Sequence, residues 1–248
     1  MSIWQLLAIL LITTVLGFIS AVSGGGTGAL ITPGLVLFGL PPAHVIAVGR
    51  FAELGMGTGA LWRFVKNDVV DWRWARRLMP VSIVLSVISS LVVVDMSGVV
   101  LKNAIALATL SVAIVLLIDR KAGLKKIKTS RRRKRIGSLL FWVIDFIRYI
   151  VASGFSTFNM YVMMRLLGMD ALTANATKRA IAYPSIFVSL SVFIVKGAVE
   201  WPIAITLMLG FFFGSQAGAK LAVKAGSKLV RNSLTVVAIV VGMTILLT

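Results

Sequence analysis

The sequence predicts an all-α integral membrane protein built from two repeats of inverted topology. Three observations lead there. Of its 248 residues, 58% are hydrophobic with a mean hydropathy of +0.98, against about 45–50% apolar residues in soluble chains. The stretches Ser82–Val94, Ala104–Ile118, Ile181–Val195 and Leu234–Leu247 carry no charged side chain. Extended to their nearest turns, they reach the roughly 20 residues that a bilayer span needs. The third observation is that the two halves of the chain match each other in order.

Helices are expected at about 3–22, 28–39, 43–65, 74–95 and 99–118, and again at about 137–153, 156–168, 173–196, 200–223 and 229–247. The first 22 residues are apolar with no basic region ahead of them, and read as a retained helix rather than a cleaved signal. A shift of about 130 residues aligns the two sets. Ala21-Val22-Ser23-Gly24 meets Val151-Ala152-Ser153-Gly154, Ala47-Val48-Gly49-Arg50 meets Ala176-Thr177-Lys178-Arg179, and Asp71-Trp72 meets Glu200-Trp201. The chain therefore divides into a first repeat (1–118), a basic linker (119–136) and a second repeat (137–248).

Charge sets the orientation. Residues 119–135 hold Arg120, Lys121, Lys125, Lys126, Lys128, Arg131, Arg132, Arg133, Lys134 and Arg135 against the single acid Asp119. The positive-inside rule places this segment in the cytoplasm. The basic segments 63–77 and 220–231 are assigned to the same side. Counting crossings between these points leaves 3–39 and 137–168 as hairpins that return to the side they left. Each repeat is then a broken or re-entrant helical hairpin followed by three transmembrane helices. The halves have opposite orientation and both termini lie outside, the plan of many secondary transporters.

A net charge of +18 suits anionic lipid at the 119–136 segment. It does not argue for nucleic acid, because no interleaved basic and aromatic surface accompanies it. With no Cys and one His, His44, disulfides, Cys-based sites and His-based metal sites are excluded or nearly so. No cofactor and no metal are expected, and no nucleophile with its base is evident.

Two hairpin tips carry the polar chemistry. The first reads Ser23-Gly24-Gly25-Gly26-Thr27, the second Ser153-Gly154-Phe155-Ser156-Thr157-Phe158-Asn159. A helix of residues 28–39 is only about 18 Å long, too short to span. A break in lipid is tolerated where protein or a water-filled cavity covers it. Free N–H groups at the restarting helix favour an anion. The plainer alternative is a tight turn between packed helices. Arg50, Lys178 and Arg179 fall inside spans, where charge is costly and marks a pathway or a buried pair. Arg50 and Arg179 occupy matching repeat positions and could grip one anion. Alternatively, Arg50 pairs with Glu53 and Arg179 snorkels to the surface. Glu53 and Asp145 are candidates for carrying a coupling proton; Asp145 and Arg148, one turn apart, read first as a structural ion pair. The runs Gly55–Gly59 and Gly214–Gly218 are expected to pack helices closely, and Trp62, Trp72, Trp74 and Trp201 to lie at the interfaces.

The glycine run with Pro33 behind it, the Leu40-Pro41-Pro42-Ala43-His44 turn, Asp71-Trp72 after a basic span end, and the duplicated plan together resemble the TauE/SafE sulfite exporter family over nearly the full chain. That resemblance implies a transporter of small sulfur-containing or organic anions, such as sulfite, sulfoacetate or thiosulfate, in a bacterial inner membrane. The expected function is alternating-access transport with a coupling proton or sodium ion. A passive anion channel, a membrane enzyme and a non-transporting structural protein are the rivals. Expected substrate contacts are Ser23, Gly24, Gly25, Gly26, Thr27, Arg50, Ser153, Gly154, Ser156, Thr157, Asn159, Lys178 and Arg179.

Overall fold

The computed structural model describes residues 3–25, 35, 40–95, 123–151 and 156–246. Segment 99–118 and the tip residues Gly26, Thr27, Ser153 and Gly154 lie outside these. Seven helices are bounded within the described residues: α1 (Ile3–Ser23), α2 (Pro42–Lys66), α3 (Trp72–Asp95), α4 (Arg131–Val151), α5 (Ser156–Arg165), α6 (Ala171–Val195) and α7 (Trp201–Leu246). Four are long and apolar enough to cross a membrane: α1, α3, α6 and the Trp201–Val237 part of α7. The protein is an all-helical membrane protein in this sense. Helix α2 also reaches 25 residues but carries Arg50, Glu53, Arg63 and Lys66.

One constant shift relates the helices. It carries Pro42 to Ala171 and Lys66 to Val195, so α2 and α6 have the same 25-residue length. The same shift carries Trp72, the start of α3, to Trp201, the start of α7. Packing follows the same exchange. α1 lies on α7 as α4 lies on α3, α2 lies on α7 as α6 lies on α3, and α2 and α6 pack on each other at the centre.

Small residues bring the backbones together. A Cβ at Gly55 would strike the Met208 carbonyl and one at Gly59 the Phe212 carbonyl, so α2 seats directly on the α7 main chain. Gly214 and Gly218 do the same against Thr14 and Phe18 of α1. Lipid offers no hydrophobic drive between helices, so this close van der Waals fit and interhelical hydrogen bonds must supply the association. Serines of α3 serve the second purpose: Ser90 Oγ and Ser189 Oγ are 2.6 Å apart, and Ser89 Oγ donates to the Phe146 carbonyl at 3.2 Å.

Three features differ from the sequence expectation. Helix α4 starts at Arg131, not near 137, so the last part of the basic linker is helical. Ser130 starts it: its Oγ accepts from the Arg133 N–H at 3.3 Å and its carbonyl from the Lys134 N–H at 3.1 Å. That cap forms although five cations stand at the positive end of the helix dipole, an unfavourable placing. The second is the join between the last two expected helices, which are both present within the α7 run but meet across a kink instead of a loop. Its break is a single residue, Gly226, at φ 73° and ψ −171°. The third is Trp74, which is buried at 8% exposure in the core while Trp62, Trp72 and Trp201 are exposed.

Asp170 staples this end of the fold. It caps α6 by accepting from the Thr173 N–H at 3.0 Å and the Thr173 hydroxyl at 2.9 Å. It also accepts from Ser227 Oγ at 2.6 Å, one residue past the α7 break. Burial pushes the Asp170 carboxyl up, but the hydrogen bonds from Ser227 and Thr173, helped by Lys126, outweigh it and hold the group below its ordinary value.

Two predictions follow from this packing. Gly214→Val should destabilise the detergent-solubilised protein by about 1–3 kcal/mol, whereas Gly49→Ala, where a Cβ meets nothing within 4 Å, should stabilise it by about 0.5–1 kcal/mol; equal melting shifts for the two would contradict the backbone contact. Asp170→Ala should cost about 1 kcal/mol. Because the folded carboxyl titrates below the unfolded one, its contribution is full above about pH 4 and is lost as pH falls through the folded value. The melting gap between wild type and variant should therefore close in acid.

Candidate functional site

The helix breaks create the site. α1 ends at Ser23 and the chain turns at Gly24, whose φ of 83° is a left-handed value that suits glycine. The last carbonyls of a helix have no partner within it, and in lipid each must find one. α6 supplies them. Arg179 Nη2 donates to the Ser20 carbonyl at 2.7 Å, Asn175 Nδ2 to the Ala21 carbonyl at 2.9 Å, and Lys178 Nζ to the Gly24 carbonyl.

The other half answers in kind. α4 ends at Val151, and Arg50 of α2 donates from Nη2 to the Tyr149 carbonyl at 2.7 Å and the Arg148 carbonyl at 3.4 Å. The shift that carries Arg50 to Arg179 also carries Tyr149's counterpart, Ser20, to Tyr149. Each arginine therefore caps the helix end that belongs to the other half of the chain. Arg50 is 1% exposed and Arg179 6%. The snorkelling expectation for Arg179 is overturned: its donors reach inward, Nη2 to the Ser20 carbonyl at 2.7 Å and Nε to Asn175 Oδ1 at 3.0 Å.

The hairpin tips meet here. A Cβ on Gly25 would lie 2.8 Å from Ser156 Oγ and 2.9 Å from Thr157 Oγ1, so the first tip's main chain rests on the first turn of α5. Ser23 Oγ donates to the Gly25 carbonyl at 2.8 Å and fixes that tip. Lys178 reaches both tips, since its Nζ also donates to the Ser156 carbonyl at 3.2 Å and lies 3.3 Å from Ser156 Oγ.

Between these elements lies a cavity of about 40 Å³, lined by Ser20, Gly24, Gly25, Glu53, Met56, Gly57, Arg148, Ser156, Lys178, Arg179, Ala182 and Ile186. That is room for a small oxyanion or a few waters, not for a large metabolite. Of the residues singled out from sequence, Gly24, Gly25, Glu53, Ser156, Lys178 and Arg179 line it. Ser23, Arg50, Thr157, Asn159 and Asp145 are buried around it without lining it.

Six buried ionisable side chains surround this space. Arg50 Nη1 donates to Glu53 Oε2 at 2.8 Å. Arg148 lies between two acids, with Nε donating to Asp145 Oδ1 at 2.8 Å and Nη1 3.6 Å from Glu53 Oε1. Asn159 Nδ2 donates to the same Asp145 oxygen at 2.9 Å. The expected Arg50–Glu53 and Asp145–Arg148 pairs are thus both present. Lys178 and Arg179 have no carboxylate partner among the described residues; their bonds go to carbonyl, hydroxyl and amide oxygens. With four cations against two acids, the site carries two formal positive charges in excess.

The family's sequence profile for sulfite exporters of the TauE/SafE type matches residues 9–245. The chain belongs to the TauE/SafE sulfite exporter family. Relatives extend over almost the whole length. A "probable membrane transporter protein ORF9" of Sinorhizobium sp. is 25% identical over 98% of this chain and 93% of its own. A probable membrane transporter protein of Haemophilus influenzae is 24% identical over 92% and 89%. The probable membrane transporter protein YfcA of Escherichia coli K12 is 25% identical over 93% and 85%. No solved structure matches the chain.

Sequence reasoning on this TauE/SafE chain missed Arg148 as a lining residue, because its i,i+3 spacing to Asp145 already explained it. It also missed Ser20, Met56, Gly57, Ala182 and Ile186. Which side of a small-residue helix faces a partner from the other half leaves no local periodic signal. The Arg50–Glu53–Arg148 arrangement makes a direct prediction. Arg50→Ala removes the cap of α4 and the closest partner of Glu53, and should cost about 3–5 kcal/mol, the usual penalty for breaking a buried pair. Arg50→Lys should recover part of it, because a lysine satisfies the charge but not two directions at once; thermal melting in detergent with both variants checks this.

Proposed function

We propose that this chain is a secondary transporter that moves a small anion, of the class of sulfite, thiosulfate or a sulfonate such as sulfoacetate, across a bacterial inner membrane. The observation that carries the reading is the pair Lys178 and Arg179. They line a small cavity at the meeting of the two hairpin tips, and neither forms an ion pair with an acid among the described residues. A buried cation left this way is costly unless an anion joins it. The first turn of α5, with Ser156 in the cavity wall, adds the positive end of a helix dipole.

Alternating access follows from an inverted pair of repeats rocking about the α2–α6 contact. The constant helix shift, the exchanged packing pairs and the reciprocal arginine caps all support that plan. The substrate would bind through backbone N–H and hydroxyl groups of the tips, including Gly26, Thr27, Ser153 and Gly154, with Lys178, Arg179 and Arg148 supplying charge. Arg50 is proposed to serve this site from behind, by holding Glu53 and the α4 end. Arg131–Arg135 at the start of α4 would face the cytoplasm against anionic lipid, and both termini would face outside.

Thermal stabilisation of the purified protein by thiosulfate, sulfoacetate, methanesulfonate and simple carboxylates tests the site. The sulfur oxyanions should raise the melting temperature of wild type, and Lys178→Ala and Arg179→Ala should each abolish most of that rise. Wild type that responds to none of them would refute the anion site. Saturable counterflow of labelled thiosulfate in proteoliposomes should accompany binding; unsaturable flux would instead indicate a passive channel.

A further inference from the structure

One member of the cavity wall has the wrong sign for an anion site. Glu53 is 7% exposed and lines the same cavity as Arg148, Lys178 and Arg179. Its two oxygens are held unequally. Oε2 accepts from Arg50 Nη1 at 2.8 Å, and Arg50 is not among the residues that line the cavity. Among the described residues, Oε1 has Arg148 Nη1 at 3.6 Å, beyond hydrogen-bond length.

We propose that Glu53 Oε1 takes up a proton when the anion binds, so that anion and proton occupy this cavity together and are carried as a pair. This rests on the anion-transport reading above and names its coupling ion. The argument is one of shared space. A cavity of about 40 Å³ leaves an anion no place remote from the Glu53 carboxylate. The anion also competes for Arg148, the cation within ion-pair distance of Oε1 among the described residues. Both effects raise the proton affinity of Glu53, and linkage requires that protonation of Glu53 tighten the anion equally. The proton comes from the aqueous phase as hydronium, leaving neutral water behind, and forms one O–H bond on Oε1; Oε2 keeps its bond to Arg50.

The groups facing Glu53 support this choice. Its own helix presents Arg50. α4 presents Arg148 with Tyr149 and Asp145 behind it, and α6 presents Lys178 and Arg179. α1 contains no charged residue, and no side chain of α7 lines the cavity. Asp145, the other carboxylate, does not line it, and its Oδ1 accepts two hydrogen bonds, from Arg148 and Asn159. An anion in the cavity meets Asp145 only through Arg148, whereas it meets Glu53 directly.

The test uses thiosulfate, whose charge does not change between neutral and mildly acid pH. Adding thiosulfate to wild type in weak buffer with a pH indicator should take up one proton per anion bound. Thiosulfate affinity should rise by up to about tenfold for each unit the pH falls. Glu53→Gln, which imitates the protonated acid, should bind at every pH with close to the acid-side affinity and take up no proton. Glu53→Asp should restore proton uptake, and carries the same comparison if the glutamine variant fails to fold. Binding by wild type without proton uptake overturns the proposal and leaves the anion site standing. Proton uptake that persists in Glu53→Gln overturns the assignment to Glu53. A wild type that binds no thiosulfate, sulfoacetate or methanesulfonate overturns the anion reading and this proposal with it.

Discussion

The architecture depends on how helix ends are satisfied where water is scarce. Two helices, α1 and α4, stop inside the molecule and leave carbonyls without intrahelical partners. In a bilayer an unsatisfied carbonyl costs several kcal/mol by rough accounting. Arg179, Asn175 and Lys178 of α6 close the α1 end, and Arg50 of α2 closes the α4 end. The central α2–α6 contact is therefore more than packing. Each of these helices is tied by hydrogen bonds to the broken helix of the opposite half, so neither half completes its own polar accounting alone.

That solution has a chemical by-product. Capping carbonyls with cations rather than with amides imports charge into the core. Glu53 and Asp145 neutralise part of it, through Arg50 and Arg148. Lys178 and Arg179 are left with neutral acceptors, in the same cavity wall as Glu53 and Arg148. The same side chains that make the break tolerable thus make it electropositive. Under the proposed function, Lys178 and Arg179 would combine a binding role with their structural one, while Arg50 and Asp145 do not line the cavity. This is why loss of stability and loss of binding must be read separately in variants of these positions.

Close backbone contact gives the frame its rigidity. The Gly55 and Gly59 seats on α7, and the Gly214 and Gly218 seats on α1, set α2 and α1 at fixed distances from one helix. The α7 run itself is interrupted at Gly226, and Ser227 just beyond the break is tethered to Asp170.

Sequence alone determined the membrane class and the family, and led to the expectation of a duplication with the hairpin tips as its polar centre, because apolar length, charge asymmetry and internal similarity are local or ordered along the chain. It placed Lys178, Arg179, Glu53, Gly24, Gly25 and Ser156 near a site by their types. It left open whether Arg179 ran to the surface and whether Arg50 paired with Glu53, and it read Arg148 only as a partner for Asp145. Those questions turned on which helix end lies opposite which side chain. Only the tertiary structure decided that Arg50 meets Tyr149 while Arg179 meets Ser20. The physical reason is that a helix end specifies that its carbonyls need donors, but the donors come from the far half of the chain, and no spacing along the sequence encodes that meeting.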